Sequence, residues 1–239
     1  MKWFGTSLLL ILTCFNAHAA DIDANEIVKK ADLKRGLGNI SHSFVVTITN
    51  QDDKREAYNV SFKDVNASLT VQTEPERARG RKLLMKEYDI WLYTPNIKKP
   101  LRISLEQKLT GEVANGDIAR TNYAEDYDAT LLGTEKLNKV DVYRLELKAK
   151  NKKVTYGKIE YIVSKKEFNP ISATFFALSG KPLKSADFSD FKNIQGMSRA
   201  SKMVIRDYLQ KDKTSTLVFS DHKPQSFPDS LFNKDRLEF

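Results

Sequence analysis

The sequence predicts a mainly β, single-domain protein: a long antiparallel meander with one helix in front and a helical insertion in the middle. Three observations carry this. From residue 42 onward, apolar residues recur with a period of two in run after run. Turn signals separate many of these runs, often by 8–14 residues. No stretch shows the regular strand–helix alternation of a parallel α/β fold. Such a sheet has three ways to bury its apolar face: closing into a barrel, splitting into a sandwich, or curving into an open half-barrel with helices over its mouth.

The chain has 239 residues, and its first nineteen stand apart. MKWFGTSLLLILTCFNAHA carries a basic Lys2, an apolar run from Leu8 to Leu12, and small residues at Ala17 and Ala19. That is the layout of a secretory signal with an A-x-A site, so cleavage is expected after Ala19, leaving a single domain over 20–239. The apolar run is too short to span a bilayer. Cys14 is the only cysteine and lies inside this segment, after Thr13, where a lipid-anchor site would need a small residue. The mature chain would then hold no cysteine. A chain of about 220 residues can bury a core without disulfides, and export without cysteine suits a bacterial periplasm.

The elements follow in order. DIDANEIVKKADLKRGL (21–37) reads as an amphipathic helix, with Asp23 as cap, Glu26 as capping-box partner, and Ile27, Val28 and Ala31 as the apolar stripe. Gly36 and Gly38 end it. Strand periodicity then begins with Phe44, Val46 and Ile48, turns at QDDK, and resumes with Tyr58, Val60 and Phe62. Leu69 and Val71 continue it, then Leu83 and Met85. In YDIWLYTPNIKKPLRIS (88–104), four large apolar residues from Ile90 to Tyr93 interrupt the alternation, so either both faces of that strand are covered or one of them faces a cavity. TPNIKKP forms the turn, with Pro95 and Pro100 punctuating it, and LRIS the next strand. Alternation lapses over 105–126, where short helical segments are expected around 116–124. It returns with Tyr143, Leu145 and Leu147; Ile159, Tyr161 and Val163; Ile171, Ala173 and Phe175; and finally 183–194, 200–207 and 214–220.

The formal charge of +8 falls to +7 when Lys2 leaves with the signal. That excess favours anionic surfaces. Many lysines, however, sit in short clusters (96–99, 148–153, 164–166) at expected hairpin tips, where charge keeps sheet edges soluble. No arginine stripe interleaved with exposed aromatics appears, so nucleic acid is not an expected partner. Enzyme chemistry and cofactors find no support either. After cleavage only His42 and His222 remain, one near each end of the chain and neither in metal-ligand spacing. There is no G-x-S-x-G elbow, no glycine-rich phosphate loop and no nucleophilic cysteine. The acidic pairs Glu125-Asp126 and Asp187/Asp190 read as solvated.

Beside this reading stands a resemblance. The helix after the signal, RARGRKLLMK, DIWLYTPNIKKPLRIS, the central VANGDIARTNYAEDYDATLLG and the terminal FPDSLFNKDRLEF resemble the LolA-like family of outer-membrane lipoprotein-sorting proteins. The likeness spans the mature chain, through structural motifs only. It implies a curved antiparallel sheet, an unclosed half-barrel, with helices covering an apolar concave face. It also implies a periplasmic, non-enzymatic carrier of lipid or lipoprotein acyl chains, served by an inner-membrane donor and an outer-membrane acceptor; a monomer is expected. A module that docks on a transporter or regulator without cargo is the alternative. The expected cavity residues are Phe44, Val46, Ile48, Tyr58, Val60, Phe62, Leu69, Val71, Leu83, Met85, Trp91 and Tyr93. Arg77, Arg79 and Arg81 alternate along an expected strand and would meet a head group at its rim.

Overall fold

A computed structural model describes residues 22–36, 40–95, 99–120, 122–210 and 213–237. The expected signal segment, 1–19, lies outside these residues. Helix α1 (Ala24–Arg35) precedes six strands: β1 (His42–Asn50), β2 (Arg55–Asp64), β3 (Ala67–Glu74), β4 (Lys82–Lys86), β5 (Asp89–Tyr93) and β6 (Leu101–Ile103). A small hairpin, β7 (Lys108–Thr110) and β8 (Val113–Ala114), leads into helices α2 (Asn115–Ala119) and α3 (Tyr123–Asp126). Seven longer strands follow: β9 (Tyr127–Leu137), β10 (Val140–Ala149), β11 (Lys158–Ser164), β12 (Pro170–Phe176), β13 (Pro182–Ile194), β14 (Met197–Asp207) and β15 (Thr214–Pro224).

Two meanders make one antiparallel sheet. Its order is β6-β5-β4-β3-β2-β1-β15-β14-β13-β12-β11-β10-β9, so the halves join where β1 pairs with β15. The outer strands β6 and β9 do not pair with each other, and the sheet remains an unclosed half-barrel with the helices over its concave face.

Local sequence accounts for the framing elements. The Asp23 side chain accepts from the Asn25 amide (3.2 Å) and caps α1. Glu26 does not complete a capping box; its carboxylate reaches Lys29 instead (3.6 Å). Ile27, Val28 and Ala31 seat the helix on inward residues of both meanders, including Val46, Leu145, Tyr161 and Ile205. The described lysines of 148–153 and 164–166 do fall at the β10–β11 and β11–β12 connections.

The register decides which face each strand residue serves. Phe44 pairs with Val60 and Val46 with Tyr58, facing inward. A register shift between Phe62 and Asp64 follows in the β2–β3 pairing, and in β3 it is Ser68, Thr70 and Gln72 that continue the inward row. Leu69 therefore pairs with Leu84, and Leu84 with Trp91, on the opposite face. There the chain's last segment covers them: Phe227, Leu231, Phe232 and Leu237 pack on Leu69, Val71, Leu84, Trp91 and Tyr93, and the Tyr93 hydroxyl donates to the Lys234 carbonyl (2.8 Å). On the inner side, Ile90 and Leu92 join Leu83, Met85, Leu105 and Ala119. The four-residue apolar run of β5 is thus covered twice, by the insertion within and by the C-terminal segment without.

Candidate functional site

The cover over the concave face is fastened by buried polar ties. Asp32 on α1 accepts from the Ala124 amide on α3 (2.8 Å), and the Arg35 guanidinium stacks 3.7 Å from the Tyr123 ring. Burial of Asp32 outweighs the pull of Arg35 and raises its pKa to about 7. The central N-G-D segment, 115–117, begins α2. Asn115 donates to the Ser104 carbonyl (3.0 Å). Gly116 leaves no room for a side chain, since a Cβ there would lie 2.0 Å from Thr155 Oγ1. Asp117 accepts from Lys184 Nζ (2.5 Å), the Tyr156 hydroxyl (2.6 Å) and the Ala114 amide (2.8 Å). Lys184 also donates to the Glu112 carbonyl (2.9 Å), so one ammonium on β13 holds both α2 and the β7–β8 hairpin.

At the far end of the insertion, Arg120 and Asp126 form a bidentate pair, both contacts 2.6 Å. The same guanidinium donates to the Glu87 carbonyl (3.0 Å) and Asn66 Oδ1 (3.3 Å), and the Tyr88 hydroxyl donates to Asp126 (3.1 Å). Asp126, expected to be solvated, is instead the buried partner of this anchor, because the fold brings Arg120 beside it. Glu125 does lie exposed, and Asp187 pairs with Arg206 at the surface.

Between α1's C-terminal end, α2 and strands β1, β13, β14 and β15 lies a pocket with about 630 Å³ of empty space, part of it continuous with solvent. Its enclosed portion leaves only about 40 Å³ for the centres of water-sized molecules, room for roughly three waters. Phe44, Ile118, Phe188, Met203 and Phe219 supply an apolar lining. Polar groups gather at the mouth. Arg199, 2% exposed, donates to the Leu33 and Gly36 carbonyls that end α1, and through Nε to the Ile194 carbonyl (3.4 Å). His42 and His222, distant in sequence, meet because β1 pairs with β15; both rings stack near Phe44, at 6.0 and 5.3 Å. His42 Nδ1 donates to the Ile40 carbonyl (2.7 Å). Among the described residues the buried Nε2 of His222 has no hydrogen-bond partner. Burial lowers the pKa of both, that of His222 to about 4 with help from His42 and Arg199. Among the described residues no hydrogen bond joins either imidazole to a serine hydroxyl, the contact that a serine hydrolase would need. A second, open recess borders the mouth, lined by Lys192, Gln195 and Asp221 and sharing Phe219 and His222 with the pocket.

The expected site residues separate into groups. Phe44, Val46, Ile48, Tyr58, Val60 and Phe62 lie buried on the concave face, and Phe44 lines the pocket. Leu83 and Met85 also face inward, in the neighbouring cluster. Leu69, Val71, Trp91 and Tyr93 are corrected: they face outward beneath the C-terminal segment, because the inward row passes from Tyr58, Val60 and Phe62 to their partners Gln72, Thr70 and Ser68. Arg77, Arg79 and Arg81 do not alternate along a strand. A 3₁₀ turn (Glu76–Ala78) intervenes, all three are exposed, and Arg79 pairs with Glu76 (2.7 Å). They sit beyond the Glu74 end of β3, whereas the pocket opens at the His42 end of β1. Arg199, His42, His222, Ile118, Phe188, Met203 and Phe219 were outside the expected set. The alternation of Arg199, Ser201, Met203 and Ile205 is a sequence signal for one buried face, but only the strand order joins that face to Phe44.

The comparisons with known proteins agree with this architecture. A family model described as an uncharacterized protein matches residues 64–239. The chain is 38% identical to a LolA superfamily protein of Nitrosomonas europaea whose crystal structure is known, over 90% of this chain and all of that one, with a TM-score of 0.85. It shares its fold with a putative outer membrane lipoprotein-sorting protein domain of Vibrio parahaemolyticus (24% identity, 89% and 97% coverage, TM-score 0.74). A DUF1329 family protein of Desulfovibrio piger has the same fold (21% identity, 90% and 98% coverage, TM-score 0.76). No curated protein matches the chain in sequence.

Proposed function

This chain belongs to the LolA superfamily, and we propose that it is a periplasmic, non-enzymatic carrier that takes lipid or lipoprotein acyl chains under its helices and helps sort them to the outer membrane. Residues 1–19 act as the export signal and 20–239 as the single carrier domain. An inner-membrane transporter is the donor and an outer-membrane protein the acceptor. The observation that carries this reading is the apolar pocket between the concave sheet face and a cover fastened by a few buried polar ties. An acyl chain of about 16 carbons gains on the order of 10 kcal/mol on leaving water, enough to lift such a cover. Lifting is required, because the enclosed space at rest holds only about three waters. Phe44, Val46, Ile48, Tyr58, Val60 and Phe62 then become the wall that the chain meets.

Native mass spectrometry and lipid extraction of protein taken from its own periplasm test the reading, together with fluorescent fatty-acid probes. Co-purifying lipid and probe uptake are expected; a protein that carries no lipid and takes up no probe refutes it. The small free volume favours one other reading, a docking or sensor module whose core is filled by its own side chains. Capture of a transporter or regulator by lipid-free protein would select that reading instead.

A further inference from the structure

We propose that the mouth of the pocket is a head-group site, and that the preferred ligand is a single acyl chain ending in an anion, a carboxylate or a phosphate. This rests on the carrier reading and names its ligand class. The geometry is specific. Arg199 is buried at the mouth and its guanidinium meets main-chain carbonyls; among the described residues no carboxylate pairs with it. Among the described residues its Nη2 meets the Met197 sulfur, at 3.9 Å, and it is the donor that an incoming oxygen would engage. His222 offers a second unused position, a buried Nε2 without a partner on the seam between the enclosed pocket and the open recess. Lys192 lines the solvent side of that recess and pairs with Arg199 across β13 and β14. Directly inward lie Met203, Phe188 and Ile118, which an alkyl tail would follow.

The charges facing this point from every side decide the sign. Arg35 of α1, Arg199 of β14 and Lys192 of β13 are cationic, and His42 of β1 stands beside His222. Three carboxylates lie nearby: Asp32 of α1 pairs with Arg35 (3.4 Å) and offsets it, Asp117 of α2 is held by Lys184 and Tyr156, and Asp221 of β15 accepts from the Ser220 hydroxyl at the surface and keeps its charge. That leaves Arg199 and Lys192 as the cations that set the sign. Burial, seconded by His42 and Arg199, holds His222 neutral; an anion against its Nε2 would offset the two charges and favour a proton that the ring can donate. Binding then carries a proton with it, and affinity rises as pH falls.

The test uses permanently charged probes of one chain length, so that only the protein titrates. Decanesulfonate, decanol and decyltrimethylammonium are titrated calorimetrically below their micellar concentrations, at pH 8 and pH 5. Decanesulfonate should bind more tightly than the other two and gain about tenfold or more in affinity at pH 5. His222→Phe keeps the ring stack on Phe44 and should abolish that gain, so that the ratio of decanesulfonate to decanol affinity no longer changes between pH 8 and pH 5. Lys192→Met, at an exposed side chain, should weaken decanesulfonate several-fold and spare decanol. Equal binding of sulfonate and alcohol at both pH values, or a preference for the ammonium, overturns the head-group site and leaves the carrier reading standing. Binding of none of the three overturns both.

Discussion

Replacing Lys184 by Met removes a cation that holds both α2 and the β7–β8 hairpin to the sheet. The side chain is almost wholly buried, as is its partner Asp117, at 8% and 5% side-chain exposure. Asp117 would keep the Tyr156 hydroxyl and the Ala114 amide but carry an uncompensated charge. Breaking such a pair from one side costs about 3–5 kcal/mol. The Glu112 carbonyl loses its donor as well, worth about 1 kcal/mol. For a domain of this size each kcal/mol moves Tm by about 2–4 °C, so a fall of about 8–24 °C is expected. Calorimetry and urea titration of wild type, Lys184→Met, Asp117→Leu and the double variant measure it. The double variant should recover most of the loss, since no buried charge is then left alone. Fluorescent fatty-acid uptake should also be faster in Lys184→Met if this tie restrains the cover. A Lys184→Met protein within 1 kcal/mol of wild type, or a double variant worse than the sum of the singles, would refute the reasoning.

Arg120→Met should cost about 3–5 kcal/mol, because it strands Asp126 and frees the Glu87 carbonyl; urea unfolding measures it. Asp32 has a folded-state pKa raised above its unfolded value, so the native state holds the extra proton and this group's contribution grows as pH falls from about 7 to 4. Asp32→Asn should remove that slope, on the order of 2–4 kcal/mol across the window, seen as the difference between the two urea midpoints at each pH. Phe232→Ala, at a side chain 4% exposed against Leu84 and Tyr93, should cost about 3 kcal/mol, confined to the C-terminal segment. Limited proteolysis should then cut near 225–237 while the sheet stays intact; cutting throughout the sheet would contradict that placement.

Much of the strand pattern was legible because alternation is a local signal. Val46 and Tyr58, or Leu145 and Tyr161, face the core in the phase their own runs announce. The phase between runs was not. The inward row passes from Tyr58, Val60 and Phe62 to Ser68, Thr70 and Gln72, a polar row whose members are buried because Ser68 bonds the Ala119 carbonyl and Gln72 bonds Glu56. An apolar-in rule assigns Leu69 and Val71 to that row; it places Leu83 and Met85 correctly, and in β5, apolar on both faces, it cannot choose between Trp91 with Tyr93 and Ile90 with Leu92. The cover that decides the matter, residues 225–237, comes more than 130 residues after β5. The pocket mouth was hidden for the same reason: Arg199, His42 and His222 belong to three strands, and only the order β1-β15-β14 assembles them.

That order has a consequence for how the chain acquires its shape. The seam in the middle of the sheet is made by the first strand and the last, His42 with Pro224 and Asn50 with Ser215. A chain whose C-terminal strands are not yet in place therefore has two separate margins and no centre. β1 waits with an open hydrogen-bonding edge until residues 214–224 arrive, and the loop so closed is the longest the sheet contains. Pairings of that separation form slowly, and an unpaired edge meanwhile invites other strands. Final zippering at β1–β15 is thus the step at which the two half-sheets become one molecule, and the step a folding helper has most reason to protect.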